Sequence, residues 1–269
     1  MLFSPLIILG ALALILIISG LLEFKYHQQV LLTIPCRIHV NGTRGKSSVT
    51  RLIAAGLRAG GKRTFAKTTG TAPRVIDAQG IDRIIHRLRK PSIGEQVRLL
   101  KYFSNENPDV VVMECMAVQP QYQWISEHQM VKSDIGIITN ARPDHLDEMG
   151  PTEEDVAKSL CNSIPTNGTL ITAEEKHKSI LQSVANSNKS DIIFSDESTI
   201  TMDELNKFKY IEHPQNIAIA LDVCDKMGIN RDIALKGMHS VQPDLGALIV
   251  WKLKVDGGYI QFVNGMAAN

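Results

Sequence analysis

The segment Gly42-Thr43-Arg44-Gly45-Lys46-Ser47-Ser48 brings two glycines, two cations and three hydroxyls together within seven residues. It follows an apolar, β-branched run from Ile34 to Val40 and opens a stretch with helical periodicity. Glycines let a backbone fold tightly enough to aim its N–H groups at phosphate oxygens, and the N-terminus of a following helix adds a favourable dipole. In such a loop Lys46 reaches the terminal phosphates and the Ser47 hydroxyl ligates Mg²⁺, so the chemistry is that of ATP and magnesium. The general phosphate-loop pattern wants a glycine five residues before Gly45, where Val40 stands. This loop is therefore the shorter type, Gly-Thr-x-Gly-Lys-Ser.

Three further strand or helix ends carry reactive groups. Val110-Val111-Val112-Met113-Glu114 delivers a carboxylate at a strand terminus. Mg²⁺ takes oxygen ligands and commonly one or two from protein, which suits Glu114 beside Ser47 and the phosphates. The run Ile135 to Thr139 leads into Asn140, Asp144, His145 and Asp147, an acid and imidazole cluster in the loop after a buried strand. His213-Pro214-Gln215-Asn216 starts a helix. Each has an ordinary structural reading, as an ion-paired glutamate, a structural histidine or a helix cap. Their specificity lies in their order behind the loop.

These groups need a scaffold, and the chain alternates strand-like runs with helical ones, the signature of an α/β fold with a mainly parallel sheet. The predicted strands are Cys36 to Val40, Asp109 to Glu114, Asp134 to Thr139, Thr169 to Thr172 and Asp191 to Phe194, each rich in Val or Ile as strands buried on both faces are. Ser47 to Ala59 reads as a helix. So does the segment opened by the capping box Thr152-Glu153-Glu154-Asp155, and so does Gln215 to Met227, ended by Gly228. Leu248 to Val255 and Tyr259 to Val263 read as a hairpin. Ligands in such sheets sit beyond the carboxyl ends of the strands, where the groups named above fall.

Net charge is +1, so no long-range basic field argues for nucleic acid. Arg83 to Lys101 is locally basic, which suits contact with an anionic polymer or anionic lipid headgroups, but a solvated surface is the commoner outcome of such a run and no site is assigned to it. Cys36, Cys115, Cys161 and Cys224 are far apart and read as reduced, packed thiols. Leu2 to Leu22 contains no charged residue. As a helix it spans the roughly 30 Å hydrocarbon core of a bilayer. Positive residues follow only on its far side, from Lys25 onward, which puts the rest of the chain in the cytoplasm with a single pass through the cell membrane.

The loop, the Met113-Glu114-Cys115-Met116-Ala117 strand end, Asn140 with Asp144-His145-Leu146-Asp147, and His213-x-x-Asn216 together resemble the Mur ligase superfamily over roughly residues 36 to 269. Within it the resemblance is to the ligase subunits of poly-γ-glutamate synthases, because a membrane helix stands where cell-wall ligases carry a uridine-nucleotide domain. The resemblance implies an anchor over residues 1–24, a Mur-ligase-like central ATP-binding domain over 25–260, and in 261–269 the start of a C-terminal ligase domain largely missing from this chain. It implies ATP-dependent amide ligation through an acyl phosphate, with glutamate and a growing poly-γ-glutamate chain as substrates and other membrane subunits of a synthase as partners. Lys46, Glu114 and His145 would carry catalysis, with Ser47, Glu114 and His145 on the metal. Gly42, Thr43, Arg44, Gly45, Lys46, Ser47, Ser48 and Asn216 would hold the nucleotide, Asn216 at the adenine. Several relatives use a carbamoylated lysine as a further metal ligand. Lys158 lies one residue out of step with it and reads as a solvated helix lysine. The competing functions are a folylpolyglutamate-type ligase and a non-catalytic nucleotide-binding membrane subunit.

Overall fold

A computed structural model describes residues 5–70, 72–87, 90–244, 249–256 and 258–264. In chain order the elements are α1 (Pro5–Leu32), β1 (Cys36–Asn41), α2 (Lys46–Ala59), β2 (Thr64–Thr68), β3 (Arg74–Ile76), β4 (Asp82–Ile84), α3 (Glu95–Ser104) and β5 (Val110–Glu114). Next come α4 (Pro120–Ile125), which runs on as a π-helical turn over Ser126–Val131, then β6 (Ile135–Ile138), α5 (Leu146–Met149), α6 (Glu153–Leu160), β7 (Thr169–Thr172) and α7 (Lys178–Ser187). The chain continues through β8 (Asp191–Phe194), α8 (Met202–Asn206), α9 (Pro214–Lys226), α10 (Arg231–His239), β9 (Ile249–Val255) and β10 (Gly258–Asn264).

Eight strands form one sheet in the order β4-β3-β2-β5-β1-β6-β7-β8. The six from β2 to β8 are parallel, and β3 and β4 add an antiparallel edge. Alternate residues of each parallel strand feed opposite cores. Ile38, Val40, Val110, Val112 and Ile137 face α2, α9 and α10, while Val111 and Met113 pack with Leu100 and Phe103 of α3, and Ile138 and Leu170 with α6 and α7. Burial on both faces is the reason these strands read as continuous apolar runs.

The five predicted strands are present, with ends within one residue of the expectation. The Thr152–Asp155 capping box closes as expected, with the Asp155 N–H donating to Thr152 Oγ1 at 3.2 Å and Asp155 Oδ2 accepting from the Thr152 N–H at 3.2 Å. The β9–β10 hairpin pairs antiparallel, although its turn residue Gly257 and residues 265–269 lie outside the described set. Two features depart from the sequence reading. β2 is a fully buried strand that interior polar residues concealed, since Thr64, Lys67 and Thr68 are each fully buried. And the apolar helix does not stop near residue 24. It continues to Leu32 without a linker and docks its last turns, His27 Nε2 meeting the Met130 carbonyl at 2.7 Å and Leu31 entering the core beside Leu100. Its first twenty-two residues are exposed, with a mean hydropathy of 2.8 in the most apolar window, and it is long and apolar enough to cross a membrane.

On β1 the residues between the apolar ones are polar and buried. His39 Nδ1 lies 2.8 Å from Glu127 Oε2 in the π-helical turn, and Glu127 also accepts from the N–H and hydroxyl of Ser133. Burial alone would push the His39 imidazole down, but the Cys115 sulfur and the Glu127 carboxylate outweigh it and raise it to about 10. A group raised in the fold contributes stability that is complete below its unfolded value and is lost as pH climbs through the folded one. The urea midpoint is therefore expected to fall as pH rises from 7 towards 10. In Glu127→Gln the imidazole titrates lower and that fall flattens, whereas Glu127→Ala, which also leaves the buried Ser133 N–H and hydroxyl without their acceptor, costs roughly 1–3 kcal/mol at pH 7. A midpoint flat across that pH range in the wild type would remove the charged pair.

Candidate active site

The site grows from the carboxyl end of β1, at the centre of the sheet. Gly42 adopts φ 130° and Gly45 φ 82°, both left-handed values that side chains resist. Close approach requires glycine as well. A Cβ on Gly42 would lie 2.0 Å from Thr139 Oγ1, and one on Gly45 would lie 2.7 Å from Asn216 Oδ1. α2 then starts at Lys46 with no side-chain cap and no acid in its first turn, which leaves its first N–H groups and its dipole for an external anion.

The loop is braced from β6. Thr43 Oγ1 donates to Asn140 Oδ1 at 2.7 Å, the Arg44 N–H donates to the same oxygen at 3.2 Å, and Asn140 Nδ2 returns a bond to the Arg44 carbonyl at 3.1 Å. Thr139 Oγ1 donates to that carbonyl too, at 2.7 Å. Asn140 thus holds the loop in shape. The following loop is tied in turn, since the Ala141 N–H donates to Glu174 Oε2 at 2.7 Å and Arg44 Nη2 pairs with Asp144 at 3.7 Å.

Lys46 turns its ammonium onto the loop, donating to the Gly42 carbonyl at 2.7 Å and to that of Thr43 at 3.3 Å. Below it, Glu114 is buried and takes three bonds, from Ser47 Oγ at 2.8 Å, from the Thr69 N–H at 2.7 Å and from Thr69 Oγ1 at 2.5 Å. The structure therefore brings together Ser47 and Glu114, which the sequence pointed to, and adds Thr69, which it did not. The available signal was Thr68-Thr69-Gly70, a hydroxyl-rich turn after an unrecognised strand. Gly70 is needed there, because a Cβ on it would lie 2.7 Å from Asp244 Oδ2 and 2.9 Å from Ser47 Oγ.

A cavity of about 250 Å³ opens over these groups, with Gly42, Lys46, Thr69, Arg87, Asp144 and His145 on its walls. His145 shares this cavity but is exposed, with Nδ1 3.6 Å from Glu148 Oε2 and a left-handed φ of 46°. Asp147 is exposed in the short helix beyond. Among the described residues no three His, Cys, Asp or Glu side chains cluster to hold a metal. Ser47 and Glu114, with Thr69 beside them, form instead a small set of hard oxygen donors, the kind that suits Mg²⁺ when phosphate and water complete its shell. Asn216 is buried at Gly45 and donates to Glu212 Oε1 at 2.7 Å. Lys158 is exposed and pairs with Glu154 at 2.7 Å on the surface of α6, where that hydrogen bond raises its amine.

Sequence reading also missed a buried ion network on the wall of the cavity. Lys67 is fully buried, 3.5 Å from Glu95 Oε1, and Arg87 closes a two-toothed bond onto the same carboxylate at 2.7 and 2.9 Å. Burial would raise the Glu95 carboxyl, and the two cations more than offset that, holding it below its usual range. Burial also pulls the Lys67 amine down despite Glu95 and Glu114 nearby.

A short glycine loop on a central parallel strand, with a carboxylate from the neighbouring strand under its serine, marks an α/β domain of the phosphate-loop class. The profile of the Mur ligase middle domain matches residues 40–251, and the chain belongs to the Mur ligase family. It is 38% identical over 273 residues to the "Capsule biosynthesis protein CapB" of Bacillus anthracis, covering 100% of this chain and 58% of that protein. It is 37% identical over 257 residues to the "PGA synthase CapB" of Bacillus subtilis (strain 168), covering 95% of this chain and 65% of that protein. The chain thus spans about three fifths of the length of these relatives. Among solved structures it is similar to E. coli FolC in complex with DHPP and ADP, with TM-score 0.60, 18% identity, and 82% of this chain and 60% of that one covered. A bifunctional folylpolyglutamate synthase/dihydrofolate synthase with Mn, AMPPNP and L-glutamate bound gives TM-score 0.59 at 16% identity, with 83% and 62% covered. At these identities the structures establish the fold alone.

Proposed function

We propose that this chain is the ATP-binding part of an amide ligase that adds glutamate to a poly-γ-glutamate chain for a capsule or secreted polymer. The observation that carries the reading is the convergence of Ser47 and Thr69 on Glu114 at the uncapped start of α2, beside a cavity that Thr69, Lys46 and His145 line. Identity to the two capsule and PGA synthase relatives along nearly the whole chain supports this substrate class over folate.

The residues have separable tasks. The loop N–H groups and Lys46 bind the β- and γ-phosphates and drain charge from the γ-phosphoryl group as a carboxylate attacks it. Ser47 and Glu114 would hold Mg²⁺, and His145, on the wall of the cavity that Lys46 and Thr69 also line, would act on metal or substrate. Bound there, the ion would supply Lewis-acid neutralisation of phosphate charge. Asn216 would support the nucleotide from behind Gly45. The acyl phosphate so formed is opened by the amine of the next glutamate, which releases phosphate and forms the amide. Two anions must meet in this reaction, so fixed cations and oriented dipoles are the main requirement. The apolar part of α1 would anchor the domain at the cytoplasmic face of the cell membrane beside other synthase subunits, where a polymer bound for export is best made.

The test is ADP release by the full-length gene product in detergent with Mg²⁺, with and without glutamate and a γ-glutamyl oligomer. Release stimulated by both supports the reading. Release that ignores the oligomer and needs a folate moves the assignment to folylpolyglutamate chemistry. Binding of ATP with no release under any acceptor makes the chain a nucleotide-binding subunit.

A further inference from the structure

Beside the active cavity lies a second, outer cleft of about 380 Å³, between the connection from β4 and the first turns of α3. Arg87 lines both, so the two adjoin at that side chain. The charged residues of the outer cleft are Arg87, Lys90, Arg98 and Glu95, with His86 at its margin. Its one carboxylate is already spent, since Glu95 sits in the fork of Arg87 and against Lys67. Lys90 and Arg98 are exposed and have no ion-pair partner among the described residues. The cleft therefore presents unneutralised positive charge next to the cavity that Gly42 and Lys46 line.

From this adjacency and the unpaired cations we infer that the outer cleft is the subsite for the body of a polycarboxylate chain, with Lys90 and Arg98 contacting the free carboxylates of units behind the reacting end. The inference rests on the proposed ligase function and adds to it the path by which a polymer enters. A γ-linked glutamate chain keeps one free α-carboxylate per unit, so successive units can meet successive cations while the terminal group reaches the cavity by Lys46. A concave wall that shares a residue with the active cavity suits a threaded chain. A flat membrane surface has no need of that connection.

Binding of a fluorescent γ-glutamyl decamer to the full chain in detergent, at about 0.1 M salt, tests this. Lys90→Ala/Arg98→Ala is expected to weaken the decamer about tenfold and to flatten the salt dependence of its binding, because partly solvated charge pairs are screened. Affinity for ATP should stay within twofold, which also shows that the variant folds. Lys90→Arg/Arg98→Lys, which keeps both charges, should bind the decamer nearly as the wild type does. Wild-type binding of the decamer that the double alanine variant retains within twofold overturns the subsite and leaves the ligase reading standing. Loss by that variant of binding to vesicles containing phosphatidylglycerol, with the decamer unaffected, makes the patch a membrane contact instead. A wild-type chain that binds ATP but no decamer overturns the polymer substrate itself.

Discussion

Lys46→Ala is expected to lower ATP turnover by about 10³-fold, the scale for removing a positive charge aimed at a transferring phosphoryl group. In the structure the ammonium donates to the Gly42 and Thr43 carbonyls, a position from which a small rotation delivers it to phosphate. The loop does not depend on those bonds for its shape. Asn140, Thr139 and the left-handed Gly42 and Gly45 hold it, so the urea midpoint of the variant should change by about 1 kcal/mol or less in free energy. Lys46→Arg should not rescue, because a planar fork cannot replace a compact point charge in a space bounded by the loop's own backbone. Steady-state ADP release with parallel unfolding curves makes the comparison. Turnover within tenfold of wild type in a folded Lys46→Ala protein would take Lys46 out of the phosphate site.

The second large effect is at Glu114. Glu114→Gln keeps the side chain's volume and one acceptor oxygen for Ser47 or Thr69, and removes the negative charge. Turnover is expected to fall about 10²-fold at low millimolar Mg²⁺, with the Mg²⁺ concentration for half-maximal rate raised roughly ten- to a hundredfold. Glu114→Ala should be worse and partly for another reason. It leaves the half-buried Ser47 and Thr69 donors without their acceptor and so loosens the join between β5, β2 and the loop. A Glu114→Gln protein with an unchanged Mg²⁺ titration would assign this carboxylate to scaffolding alone.

The sequence reading and the folded molecule agree where a signal is local. The glycine turn after β1, the Val-rich β5 ending in Glu114 and the Thr152 capping box depend on neighbours within a few residues, and each was legible. β2 was not. Its polar residues are paid for by partners distant in the chain, Lys67 by Glu95, so its composition resembles a loop until those partners are known. The docking of α1 was missed for a similar reason. His27 and Leu31 look like the end of an apolar run, and only the contacts with Met130 and Leu100 make them part of the core.

The sequence by itself determined the chemistry on offer: a tight glycine loop with one lysine and one serine, a carboxylate at a strand end, an apolar helix at the start, and the family that this order of motifs marks. Those properties follow from residue type and short spacing, which a linear chain displays directly. Tertiary structure alone decided which groups meet. It set Thr69 against Glu114, turned Asn140 into a brace, left His145 on the cavity wall, and set the Arg87, Lys90 and Arg98 cleft beside the cavity that Lys46 lines. Those partners lie tens of residues apart and are brought together by a sheet whose order, β4-β3-β2-β5-β1-β6-β7-β8, follows from which faces can be buried against which helices.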